Sequence, residues 1–440
     1  MTRTLHKCLI TALALLIWGA AIYVGPAVWR RFYSFGRTRT QIEALSAKFV
    51  TVKKDMGYRQ VRCVLHNHSF WSHDSDGHLG ELTAAAKAVG VEAVFLTDHP
   101  KKTKERYPRG IVGTHDGVLF VGGAERRGLL VWGAPAVVDW SLPLDEFIQT
   151  LKDSGAVVFY AHSEKPHEWD NANYDGMEIY NIHTDLKDES FLGLLPDAVM
   201  SVAKYPQLVY RRIFDRPDSI LKRWERLNSK RPAVGIAAND AHRNQGIILT
   251  VDSLGTPILK DTGGHGITRF DGALSQTLID MAFGPTTPGQ ELFRWEIDRY
   301  ESSMGFVNTY LLIPKGSPVT EQRLLRALKR GRAFVAFESL APARGFVFGA
   351  MMVDSVLAVM GDSVMWRPGL ILRAETPVPA QITIHSSVPS QSFVGEVGRS
   401  ATISQLATGM YWVEASVSVG GDSIPWIISN PIYVYSESPN

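Results

Sequence analysis

From Val61 onward the chain repeats one arrangement that few folds accommodate: a short apolar run, a histidine or carboxylate at its end, then a polar or helically spaced stretch. The runs VRCVLH, VEAVFLTDH, GVLFVGGAE, LLVWGAP, AVVFYAH, GMEIYN and AVGIAAND are nearly continuous in apolar character. They lack the alternation of a strand with one wet face, so they read as strands covered on both sides, the habit of parallel sheets. Helical spacing lies between several of them, over Leu79–Val89, Leu144–Ser154 and Ser219–Asn228, with Pro143 where a first helical turn tolerates it. Such alternation predicts an α/β fold, either a barrel or a doubly wound sheet.

The residues that close these runs are chemically alike. His66 and His68 end the first, Asp98 and His99 the second, Glu125 the third and His162 the fifth; Glu178 and Asn181, then Asn239, Asp240 and His242, end the last two. Ten of the thirteen histidines fall between His66 and His242, so they are concentrated rather than scattered. In barrel enzymes the active site is built at the carboxyl ends of the strands. Imidazole and carboxylate without thiolate suit Zn, Mn or Fe. The chain has two cysteines, and Cys8 lies in an apolar segment, which argues against both a disulfide framework and a cysteine-based zinc site. A net charge of +2 advertises no nucleic-acid partner.

In order, the motifs HNHS, TDH, GAE, AHSEKP and NDAH resemble those of the polymerase and histidinol phosphatase (PHP) family, over roughly Val61 to His242. The resemblance implies a distorted (β/α)7 TIM-like barrel, up to three divalent metals and phosphoester hydrolysis; some members hydrolyse other esters or carbamates. It implies a first metal site from His66, His68, Glu125 and Asp240. Glu125 would bridge to a second metal that also takes His162, and Asp74, His99 and His242 would form a third site. Two departures stand out. The loop SFWSHDSDG leaves Asp74, Asp76 and His73 open as its ligand, with Asp74 preferred. Gly128, in RRGLLVWG, stands where many relatives carry a histidine, so two metals are as open as three.

Divalent ions held together can activate a water for attack on the phosphate ester of a small molecule or nucleotide. Lys101, Lys102, Lys104, Arg106, Arg126, Arg127 and Arg243 flank the motifs. Arg243 is the candidate for oxyanion contact and His183 for protonating the leaving group. No Ser-His-Asp or Cys-His arrangement is legible. The plainer readings are that Asp98 forms a turn or an outer carboxylate, that Glu178 caps a helix, and that His115, His167, His265 and His385 are surface or structural. Likewise, the Lys101–Arg106 run reads as a solvated loop and Leu324–Arg332 as a solvated basic helix face. Two alternatives to phosphoester hydrolysis stay open: a carboxylic ester, carbamate or amide hydrolase on the same metals, and a non-catalytic metal-binding sensor.

The ends of the chain differ from its middle. Cys8 to Trp29 carries no charge over about 22 residues, enough to cross roughly 30 Å of hydrocarbon. A cleaved signal peptide is the rival, although its apolar core usually spans only about 7–15 residues. Trp29-Arg30-Arg31-Phe32-Tyr33 resembles an interfacial anchor. Arg30, Arg31, Arg37 and Arg39 outnumber Arg3 and Lys7, which would keep the following side cytoplasmic. That count governs a lone N-terminal segment ahead of a large domain poorly, so the side stays open, with the extracytoplasmic one favoured. After Ala341 helical periodicity fades and short strands broken by Gly, Pro and Ser follow. The expected organisation is a single-pass anchor over 1–40, a metallohydrolase barrel over 55–340 and a C-terminal β-sandwich over 341–440.

Overall fold

The computed structural model describes residues 3–100, 110–135, 138–170, 173–188, 191–243, 246–262, 264–296, 298–353 and 355–436. The basic run Lys101–Arg106 lies outside them. Helix α1 (Arg3–Trp29) passes through a π-helical stretch, Arg30–Ser34, into α2 (Phe35–Ser46). Its apolar window has a mean hydropathy of 1.8 and is long enough to cross a membrane; a signal sequence passes the same test. The segment that follows is tied to the body. Arg30 grips the buried Asp197 through Nε and Nη2 at 2.7 and 2.6 Å, and Arg31 Nε donates to the Met200 carbonyl at 2.8 Å.

The central elements follow as β1 (Tyr58–Asn67), α3 (Leu79–Val89), β2 (Ala93–Leu96), β3 (Gly113–His115), β4 (Val118–Val121), β5 (Gly123–Arg126), β6 (Leu129–Trp132), α4 (Leu144–Asp153), β7 (Val157–Tyr160), β8 (Gly176–Asn181), α5 (Ile182–Asp188), α6 (Phe191–Ser201), α7 (Pro206–Ile213), α8 (Asp218–Asn228) and β9 (Val234–Ala241). β1 pairs in parallel with β2 and β9, β2 with β4, β7 with β8, and β8 with β9. Between β2 and β5 the named link is the isolated parallel bridge Asp98–Ala124. The strands are apolar on both faces because both are covered: Val61, Cys63 and Leu65 face one cluster, Val64, Val94 and Phe120 another.

Among the runs read as strands, the all-parallel expectation fails at two pairings, since β6 runs antiparallel to both β5 and β7; β3, outside those runs, is antiparallel to β4. The cause is local. Only Arg127 and Gly128 separate β5 from β6, and both have positive φ, 57° and 73°. A two-residue loop of that kind closes a hairpin.

A second sheet was not anticipated. β10 (Gly246–Val251), β11 (Pro257–Asp261), β12 (Gly266–Arg269), α9 (Ala273–Phe283) and β13 (Glu291–Glu296) form an antiparallel insert with strand order β12-β11-β10-β13. Its strands are largely half-buried or exposed, and apart from GIILTV in β10 no continuous apolar run marks them.

The chain returns to the large sheet through α10 (Tyr300–Phe306), β14 (Asn308–Pro314), α11 (Glu321–Lys329) and β15 (Ala333–Ala336), with β14 antiparallel to β1. Leu324 and Leu328 of α11 are buried, and the basic side chains lie on its other faces. Then come β16 (Val347–Met352), β17 (Ser355–Val359), β18 (Ser363–Met365), β19 (Leu370–Ser386), β20 (Phe393–Ile403), β21 (Gly409–Val419), β22 (Asp422–Ser429) and β23 (Ile432–Tyr435). They pair antiparallel apart from β18 with β23, and β22 joins β15. Along β19 buried and half-exposed positions alternate, the mark of a sheet with one covered face.

Candidate metal centre

The strand ends converge. β1 supplies His66 and, just beyond it, His68; β5 supplies Glu125; β9 supplies Asp240 and, one residue past its end, His242. His162 follows β7 by two residues and His99 follows β2 by three. Backbone irregularities aim these side chains. His66, His162 and Asp240 adopt φ of 59°, 51° and 50°, a region that costs a non-glycine residue on the order of 1 kcal/mol or more. The β1 ladder shifts register beside His66, against both β2 and β9. Such bulges re-aim a side chain next to a site.

The eight residues named as metal ligands fall into two groups, each with one ligand atom per residue and all four atoms within 4.8 Å of one another: His66, Glu125, His162 and Asp240; and His68, Asp74, His99 and His242. The motifs imply three sites and the structure forms two groups: His162 joins His66, Glu125 and Asp240 instead of a separate site, and His68 joins Asp74, His99 and His242 while lying between the groups. The His68 Nε2 is 3.4 Å from both Glu125 Oε2 and Asp240 Oδ1. Glu125 spans the site, with Oε2 2.9 Å from His66 Nε2 and 3.6 Å from His99 Nε2, and Oε1 3.3 Å from His162 Nε2. Of the three open ligands in the loop, Asp74 is brought in: its Oδ2 lies 3.5 Å from His99 Nε2 and 3.4 Å from His242 Nε2. Asp76 and His73 are exposed.

Hydrogen bonds set which imidazole nitrogen faces the centre. His99 Nδ1 donates to the Glu125 carbonyl and His242 Nδ1 to the Asp240 carbonyl, both at 3.0 Å. A carbonyl only accepts, so each ring turns Nε2 inward. Burial, with the neighbouring His68 charge, holds His99 below the usual imidazole range. Its Nε2 then presents a lone pair to two carboxylate oxygens, an arrangement a cation between them would relieve. Elsewhere burial opposes charge, but Asp240, Glu178 and Glu125 outweigh it and hold His66 well above its ordinary value. For His68 the same contest, with Asp240 and Glu125 winning, ends at about 9. Glu125 and Asp240 are buried and yet held well below the carboxylate range by these histidines. The buried His68 Nε2, Asp240 Oδ1 and His162 Nδ1 have no hydrogen-bond partner among the described residues. Orphaned atoms, an inward lone pair and a hard–borderline donor set together fit divalent cations.

A layer of supporting contacts surrounds these groups. Glu178 does not cap a helix: Oε1 accepts from His66 Nδ1 at 2.5 Å, and Oε2 accepts from the His162 backbone at 2.7 Å and from Asn181 Nδ2 at 2.9 Å. Asp98 is an outer carboxylate, accepting from Ser69 N and Oγ at 2.6 and 2.9 Å. Asp298, unremarked in the sequence, accepts from the backbone of His242 and Arg243, and burial pushes it up to about 6. Tyr300 donates to the His68 carbonyl at 2.7 Å. No periodicity or motif points to Asp298 or Tyr300; only the fold brings them here.

The candidate catalytic residues fare differently. Arg243 Nη2 pairs with Glu81 Oε1 at 2.7 Å, a carboxylate outside the two groups. Arg127 donates to the Leu142 carbonyl and Arg126 lies over the Trp140 ring. His183 lies at the rim, its ring 5.8 Å from that of His242. His167 is structural: it bonds the His162 carbonyl at 3.1 Å, and its ring occupies the space a Cβ on Gly128 would enter. Comparison with protein-family models and with curated proteins returns no match.

Proposed function

We propose that the chain is a metal-dependent hydrolase of PHP type, acting on phosphate esters, with its central strands forming a distorted barrel and its N-terminal helix a single-pass anchor. The observation that carries this reading is the pair of four-residue groups joined through Glu125 and His68 at the carboxyl ends of the strands. Divalent ions bound there would acidify a water and draw charge from the phosphoryl oxygens. The chain's own residues would prepare that step. Glu125 and Asp240, held ionised, offset the cationic charge; Glu178 and the backbone carbonyls of Glu125 and Asp240 fix the rings. His183, at the rim, would hand a proton to a departing alkoxide.

One observation favours a second reading. Arg243, Arg126 and Arg127 are all engaged elsewhere, so a less charged ester or amide also suits the site. The test is turnover of p-nitrophenyl phosphate, bis-p-nitrophenyl phosphate and p-nitrophenyl acetate by metal-supplied protein, with His66→Ala as control. Turnover of a phosphoester that His66→Ala abolishes supports the proposal. Acetate turnover alone supports the second reading, and metal binding without turnover of any ester points to a sensor.

A further inference from the structure

We infer that the β10–β13 insert seats on the surface of a lipid bilayer through α9, beside the place where α1 leaves it; this rests on reading α1 as a membrane span. Helix α9 has two apolar faces. Ile279 is buried. Leu274, Leu278 and Met281, at the i, i+4, i+7 spacing of one helix face, are 76, 57 and 79% exposed. Its one ionisable residue is Asp280. Ile267 on β12, the strand just before it, is exposed too. Isolated apolar residues on a surface are ordinary, whereas a whole helix face of them marks an interaction site.

The neighbourhood selects the partner. Trp295 of β13 is buried with Phe35 of α2, and Ile247 of β10 packs against the same cluster. Phe35 follows Trp29 by six residues, roughly 9 Å along a helix. The inner edge of the insert is therefore anchored within about two helical turns of the end of the apolar run. Trp29 and Phe32, at that end, are themselves exposed aromatics of the kind that settle at headgroup level. In sequence α9 joins β12, at one edge of the insert, to β13, the opposite edge, which carries Trp295. An apolar helix face held beside a membrane crossing meets the acyl boundary as its nearest apolar phase.

The test uses the full chain in phosphatidylcholine vesicles, in a Cys8→Ser background; the remaining Cys63 is buried. An environment-sensitive dye is placed at Leu278→Cys or Met281→Cys. The control is Val397→Cys on β20, near Arg399, whose guanidinium bonds the Lys48 carbonyl well beyond the span. With lipids carrying a nitroxide on the acyl chain, the dyes on α9 should lose most of their emission and the control dye little. Adding Leu274→Ser should restore emission at Met281→Cys. With a dye at Trp18→Cys in the apolar run quenched, quenching on α9 no greater than at the control overturns the inference; no quenching at Trp18→Cys overturns the span reading and the inference with it. Unaltered quenching in the Leu274→Ser variant overturns the inference as well. Energy transfer between differently labelled copies without lipid quenching also overturns it and assigns the face to a second copy of the chain.

Discussion

Glu178 carries a prediction that separates a metal centre from a mere cluster of polar residues. Its carboxylate accepts three hydrogen bonds, from His66 Nδ1, the His162 backbone and Asn181 Nδ2. Glu178→Gln preserves volume but replaces one acceptor oxygen by an NH2 donor. If the amide oxygen faces His66, the NH2 group meets the donors of His162 and Asn181; the flipped amide meets His66 instead. Either way a buried donor is left without an acceptor, worth about 1–3 kcal/mol of stability. The loss of orientation and of ligand basicity at His66 should lower metal affinity about 10–100-fold, or roughly 1.4–2.8 kcal/mol. Competition with a chromophoric chelator reads the affinity, and thermal unfolding in excess chelator reads the stability. A variant that is destabilised yet binds metal as tightly as the parent would show that Glu178 supports the fold alone, and the ligand assignment of His66 would fall with it.

Three further outcomes follow from the geometry. In metal-free protein the raised folded-state value of His68, about 9, means that its charged form stabilises the fold fully below the unfolded value near 6.5 and ceases to as pH rises through 9. Metal-free protein should therefore lose Tm, equivalent to a few kcal/mol, between about pH 6.5 and 9; metal-loaded protein should not, because the bound ion replaces the protons, and parallel profiles would contradict this. Asp74→Asn should weaken metal binding far more than Asp76→Asn, as measured by calorimetric titration; the opposite ranking would put the loop ligand two residues later. Gly77→Ala places a Cβ about 1.7 Å from the Tyr300 hydroxyl, which donates to the His68 carbonyl. It should cost about 1–3 kcal/mol by overpacking and reduce metal affinity as well, whereas a parental Tm and affinity would refute that coupling.

The strand ends were legible because parallel, doubly covered strands leave an unbroken apolar signature, and a ligand at each carboxyl end interrupts it. Leu79–Val89 matches α3 residue for residue, since His78 N-caps it in a capping box and Gly90 ends it in the left-handed conformation. The antiparallel turn at Arg127–Gly128 was hidden by Arg127, which is uncommon at positive φ and so gave no hairpin signal. The insert is hard to read because β11 and β12 are short and half-wet, so the apolar run GIILTV of β10 stands without recognisable partners in the sequence. Asp298 and Tyr300 reach the site from more than fifty residues beyond Asp240 in sequence, through contacts that no local pattern encodes.

Elemental analysis of purified, metal-supplied chain tests the central claim most directly. Two equivalents of a divalent transition metal are expected in the parent, falling to one in His162→Ala, which belongs to one group, and to one in His99→Ala, which belongs to the other. A parent without stoichiometric metal, or variants that keep the full complement, would contradict the account.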